Sequence, residues 1–117
     1  MKTKSEAKLL RIFIGETDKI GHVSVYEKIV SEARKNELAG ATVYRGIMGF
    51  GGRSRIHTAK ILRLSEDLPL VIEIVDEQEK IEKFIQVVEE IFEATNSGGL
   101  ITLEKAEIIK YTFDKET

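Results

Sequence analysis

Between residues 46 and 58 the chain reads GIMGFGGRSRIHT, and its chemistry-bearing groups crowd together there. Four glycines, two arginines and one of the two histidines fall in this stretch. Glycine lets a backbone approach a ligand with no Cβ in the way. Successive bare amides of this kind form concave anion sites. Gly49, Gly51 and Gly52 would supply such amides, with Arg53 and Arg55 adding charge-assisted bonds to phosphate oxygens. His57 could donate to a phosphate or to the edge of a base. The segment is not a P-loop, because it lacks the Gly-Lys-Ser/Thr ending and does not open a helix. A hairpin tip with solubilising arginines is the competing reading.

Other chemistry-bearing residues are sparser. Gly98 and Gly99 precede the last strand, either as a plain helix-to-strand turn or as a second phosphate cradle. Glu16 and Asp18 lie near His22, a low-specificity metal pattern for which solvated loop residues are the better reading. Glu73 interrupts an apolar run, and a cross-strand pairing with Arg11 or Arg45 suits it better than acid catalysis. The chain has no cysteine, which excludes a disulfide scaffold, a thiolate metal site and a cysteine nucleophile. No Ser/His/Asp arrangement can be placed from spacing.

The elements that must position these residues follow from hydrophobic period. Residues 9–15, LLRIFIG, form a strand with Leu10, Ile12 and Ile14 on one face and Leu9, Arg11 and Phe13 on the other. Tyr26, Ile29, Val30 and Ala33 mark a helical stripe from about Val23, with Gly40 placed for a left-handed C-cap. Residues 41–47 read as a strand and 59–64 as another, short one. Residues 65–69 are turn chemistry, and 70–75, LVIEIV, are the strongest strand. Asp76 and Glu79 have capping-box spacing at the start of a second helix, with Ile81, Phe84, Ile85, Val88 and Phe92 as its apolar stripe. Residues 96–99 break that helix. Residues 100–103 and 106–111 form the last strand, bent near Glu104-Lys105. Residues 1–7 are expected to fray.

The order β-α-β, long connection, β-α-β predicts an α+β ferredoxin-like βαββαβ sandwich: an antiparallel sheet with two helices on one face. One domain over 1–117 is expected. The opposite face carries Leu9, Phe13, Val71 and Val75, and an apolar patch of that size predicts self-association. A net charge of −2 argues against a nucleic-acid partner. No apolar run suits a signal peptide or span, so a cytoplasmic protein without direct membrane insertion is expected.

The block LAGATVYRGIMGFGGRSRIHTAKILRLSEDLPLVIEIVD, with YEKIV before it and GGLITLEKAEIIKY after it, resembles the PII-like signalling protein family, long catalogued as a domain of unknown function. More distantly it resembles the nitrogen-regulatory PII proteins, which carry a Gly-Phe-Gly-Arg segment followed by His-Thr. Here Gly49-Phe50-Gly51-Gly52-Arg53 and His57-Thr58 stand at similar spacing. The resemblance implies a homotrimer whose three open faces pack around one axis. It implies an adenine nucleotide (ADP, AMP or ATP) between subunits, with no tightly bound cofactor and no catalysis. By the same resemblance, Gly46, Gly49, Phe50, Gly51, Gly52, Arg53 and His57 would line the site. Gly98 and Gly99 would cradle phosphate, and Lys110 would reach in from the neighbour. Loop 49–58 would respond to ligand and be presented to an unidentified partner protein, such as a membrane transporter or an enzyme. Leu100 stands where PII proteins carry a lysine, and the loop is short and lacks tyrosine. These departures point to ADP, AMP or another adenylate ahead of ATP. The alternative is a divalent metal-ion-handling trimer of the copper-tolerance type, for which two histidines, two methionines and no cysteine are poor soft-metal ligands.

Overall fold

The computed structural model describes residues 5–50, 68–95 and 98–113, Ser5 by its backbone alone. Strand β1 spans Ser5–Gly15, and two short strands follow, β2 (Lys19–Ile20) and β3 (Val23–Ser24), paired as a hairpin. Helix α1 is Val25–Lys35, β4 is Thr42–Arg45 and β5 is Pro69–Glu77. Helix α2 is Gln78–Ala94 and β6 is Leu100–Ile108. The four long-range strands form one sheet in the order β4-β5-β1-β6, every neighbouring pair antiparallel. This is the expected split β-α-β arrangement, but residues 5–7, expected to fray, are held in β1 by pairing with 106–108 of β6, and Ala7 is buried. The expected strand at 59–64 lies outside the described residues.

Alternation along the strands decides which face is closed. Leu10, Ile12 and Ile14 of β1 and Leu70, Ile72 and Ile74 of β5 are buried. They meet Val25, Ile29 and Ala33 of α1 and Ile81, Phe84, Val88 and Ile91 of α2 in one core. The α1 stripe is turned from the expected one, so that Val25 is buried while Tyr26 is only partly so. Burying each large side chain contributes about 1.5–3 kcal/mol, and the core supplies most of what holds the helices to the sheet.

Two expected caps differ. Helix α1 ends before Gly40. Leu38 N donates to Ala33 O (3.1 Å) and Glu37 N to Arg34 O (3.0 Å), the paired bonds of a Schellman close. The left-handed position is Glu37, φ 61°, because the chain turns as soon as Leu38 can reach the core. Asp76 does not cap α2 either. Strand β5 runs one residue past it, to Glu77, which is the N-cap. The Asp76 carboxylate accepts from Glu77 N (2.6 Å) and Ala39 N (2.9 Å). Asp76 is buried, and it ties the α1–β4 connection to the end of the sheet.

Candidate functional site

The glycines at the end of β4 have a packing role. Gly46 N donates to Pro69 O at 2.8 Å. A Cβ at Gly46 would lie 2.9 Å from Pro69 Cγ, and one at Gly49 3.0 Å from the same atom. Gly49 also holds φ 155°, open to glycine and poorly to L-residues. The turn is thus folded tightly over the chain's only proline. From that base Ile47, Met48 and Phe50 project, 93%, 73% and 66% exposed. At the other edge of the sheet, a Cβ at Gly99 would lie 2.6 Å from Phe92 Cε2 and 3.1 Å from Phe13 O. Close packing of α2 against β1 therefore requires glycine there.

Register places these turns relative to each other. Arg45 pairs with Leu70, Leu70 with Ile14, and Phe13 with Leu100. Gly46, Pro69, Gly15 and Gly99 therefore stand at one end of the sheet. Gly46 extends one edge strand and Gly99 precedes the other. Three strand spacings of about 4.8 Å separate the two. Both glycine turns come to one end, on opposite edges, too far apart to cradle the same phosphate group within a protomer. Lys110 follows β6 at the far end, where Ile108 pairs with Ser5. About nine residues of strand, roughly 30 Å, separate it from Gly99. Gly51, Gly52, Arg53 and His57 lie outside the described residues.

The far end carries a groove of about 1310 Å³. Its walls include Thr42, Glu73, Val75, Lys80, Lys110 and Tyr111. The α1–β4 connection forms its rim, held by Asp76, by Lys80 Nζ donating to Glu37 O (2.9 Å) and by Tyr111 Oη donating to Ala39 O (3.3 Å). Of these wall residues the sequence reading singled out only Lys110 for binding. Glu73 and Val75 entered as strand residues. Thr42, Lys80 and Tyr111 are far apart in the chain, and only the topology that brings the start of β4 beside the tail after β6 assembles them.

On the open face Glu73 pairs with Arg11, which stands opposite it in register. Arg11 Nε donates to Glu73 Oε2 at 2.9 Å, and Arg11 NH1 to Glu104 Oε2 at 3.0 Å. The Glu73 bond first, then the Glu104 charge, push the guanidinium up from its ordinary value. Arg45, opposite Leu70, instead reaches Glu16 at 3.4 Å. Leu9, Phe13, Val71 and Val75 surround the ion cluster on strand alternation, and Tyr44 and Leu100 extend the apolar face. Near the β2–β3 hairpin, Asp18 Oδ2 accepts from Gly15 N (2.9 Å) and closes a turn. Among the described residues no group of three or more His, Cys, Asp or Glu side chains is placed to hold a metal ion. Among them, too, no helix is long and apolar enough to cross a membrane.

Residues 7–108 match the DUF190 family, described as Uncharacterized ACR. A UPF0166 protein of Aquifex aeolicus is 43% identical over 102 residues, 87% of this chain and 92% of that protein. A UPF0166 protein of Methanocaldococcus jannaschii is 35% identical over 105 residues, 90% of this chain and 94% of that one. Among solved structures, a PII-like signalling protein from Thermus thermophilus superposes with TM-score 0.62 at 15% identity, covering 92% of this chain and 94% of that one. CPII from Thiomonas intermedia, bound to ADP and bicarbonate, superposes with TM-score 0.64 at 16% identity, covering 92% of each chain. At such identities the shared feature is the fold.

Proposed function

The chain belongs to the DUF190 family, and from that premise we propose that it is a non-enzymatic PII-like regulator that binds an adenine nucleotide between the protomers of a homotrimer. The observation that carries this reading is the position of the two glycine turns. They occupy one end of the sheet on opposite edges, so both reach one phosphate group only where a second copy brings its Gly98-Gly99 turn to the Gly46–Phe50 turn of the first. The open apolar face supplies the driving force for that association, since covering Leu9, Phe13, Val71, Val75 and Tyr44 removes apolar area from water.

Strand β4 joins the two halves of the site. Its four residues span roughly 13 Å, a length suited to a nucleoside diphosphate laid along the edge. The base lies at the groove, against Val75 and Thr42. The phosphates lie at the glycine turn, where bare amides and Arg53 meet them. With Leu100 in place of a cation, ADP or AMP is favoured over ATP. Binding reorganises loop 49–58 and alters the surface shown to a partner protein. The ADP- and AMP-bound structures of CPII support an adenylate as ligand. The metal-handling alternative gains nothing from the described side chains.

Isothermal titration of the full chain with ATP, ADP, AMP and cyclic AMP tests the reading, alongside sedimentation equilibrium. The expected result is a trimer that binds ADP or AMP more tightly than ATP, with affinity lost in Arg53→Ala. No heat with any of the four up to about millimolar ligand, corresponding to about 4 kcal/mol of binding free energy, would overturn it.

A further inference from the structure

The ion cluster of the open face and the groove share one side chain. Glu73 lines the groove and is bonded to Arg11. Arg11 is bonded in turn to Glu104 on the other edge strand. The three residues come from β5, β1 and β6 and stand among the apolar side chains left uncovered by the helices. The Arg11 and Glu73 side chains are 32% and 28% exposed, Glu104 58%. A guanidinium is a planar fork with donors in fixed directions. Nε and NH1 of Arg11 are committed to different carboxylates, so following one loosens the other.

We infer that Arg11 is a positioning residue: it holds Glu73 in the groove wall and thereby links groove occupancy to the packing of the open sheet face. This rests on the nucleotide reading above. A ligand N–H bonds Glu73 Oε1 beside the Oε2 held by Arg11 Nε, and the carboxylate drawn into the groove takes Nε with it and shifts the guanidinium away from Glu104. That shift moves charge across the surface offered to a second copy. The linkage is reciprocal, so covering the face changes ligand affinity by the factor with which ligand changes association.

The test compares the full-length wild type with R11M, R11K, E104Q, E73Q and the double variant R11M/E73Q. ADP affinity is read by calorimetry and assembly by sedimentation with and without ADP. Circular dichroism checks that each variant is folded. The wild type should bind ADP and change its association on binding. R11M should lose about fivefold in ADP affinity, the scale of a half-shielded ion pair, and lose the ADP effect on assembly. R11K should restore part of both, and E104Q should not weaken ADP. In the E73Q background R11M should have no further effect on ADP affinity. If the wild type binds and R11M binds equally well, or if R11M costs as much with E73Q as without it, the Arg11 inference fails while the nucleotide reading stands. If the wild type gives no heat, both fail.

Discussion

Replacing Glu37 by glycine should stabilise the protein. Glu37 closes α1 in the left-handed region, φ 61°, with Leu38 N bonded to Ala33 O and Glu37 N to Arg34 O. An L-residue there costs about 1–2 kcal/mol, since Cβ crowds the following carbonyl. Glycine removes that strain but has more freedom to lose on folding, which returns about 0.5–1 kcal/mol. The Glu37 side chain is exposed, and the bond from Lys80 goes to its carbonyl, which the substitution keeps. The net gain is about 1 kcal/mol. With an unfolding entropy of about 2.1 cal/mol/K per residue and 117 residues, Tm should rise by about 4 °C. Thermal unfolding by circular dichroism, at one protomer concentration for all variants, provides the measurement. Glu37→Ala keeps the Cβ and should lie within about 0.5 kcal/mol of wild type. A Tm that falls in Glu37→Gly, or rises equally in Glu37→Ala, refutes the strain argument.

Three further outcomes are expected. Gly99→Ala should destabilise by about 1–3 kcal/mol in chemical denaturation, because the new methyl meets the Phe92 ring and Phe13 O; adding Phe92→Leu should recover part of the loss. Asp76→Ala should cost about 1.5–3 kcal/mol, with amide exchange at 37–41 accelerating, since that connection loses its bond from Ala39 N. Glu32 titrates below its ordinary value, first through its bond from Lys28. A carboxylate lowered on folding stabilises above its unfolded pKa and loses that contribution as pH falls through the folded one. Lys28→Met should therefore be less stable than wild type at neutral pH, and the difference should vanish below the ordinary carboxylate range. A difference that persists at low pH would show that packing, not charge, is responsible.

The strand alternation of LLRIFIG and LVIEIV showed, from the sequence alone, the buried face and the pairing of Glu73 with an arginine, while the two-residue strands β2 and β3 are too short to carry a period. Period 2 leaves few ways to hide Leu10, Ile12, Ile72 and Ile74 together. The helix ends were less legible, because Gly40 and Asp76 carry the local signals of caps while their positions answer to longer-range needs. Leu38 has to enter the core, and Ala39 N needs a buried acceptor.

The sequence by itself determined the fold class and marked both glycine turns as special, since side-chain period and the lack of a Cβ are local properties. Only the tertiary structure decided that Gly46 and Gly49 fold over Pro69, that Gly99 makes room for Phe92, and that the two turns lie on opposite edges. The groove, too, belongs to the tertiary structure alone. Thr42, Lys80 and Tyr111 share a wall because the start of β4 and the tail after β6 lie at the same end of the sheet, a consequence of strand order that no spacing along the chain contains.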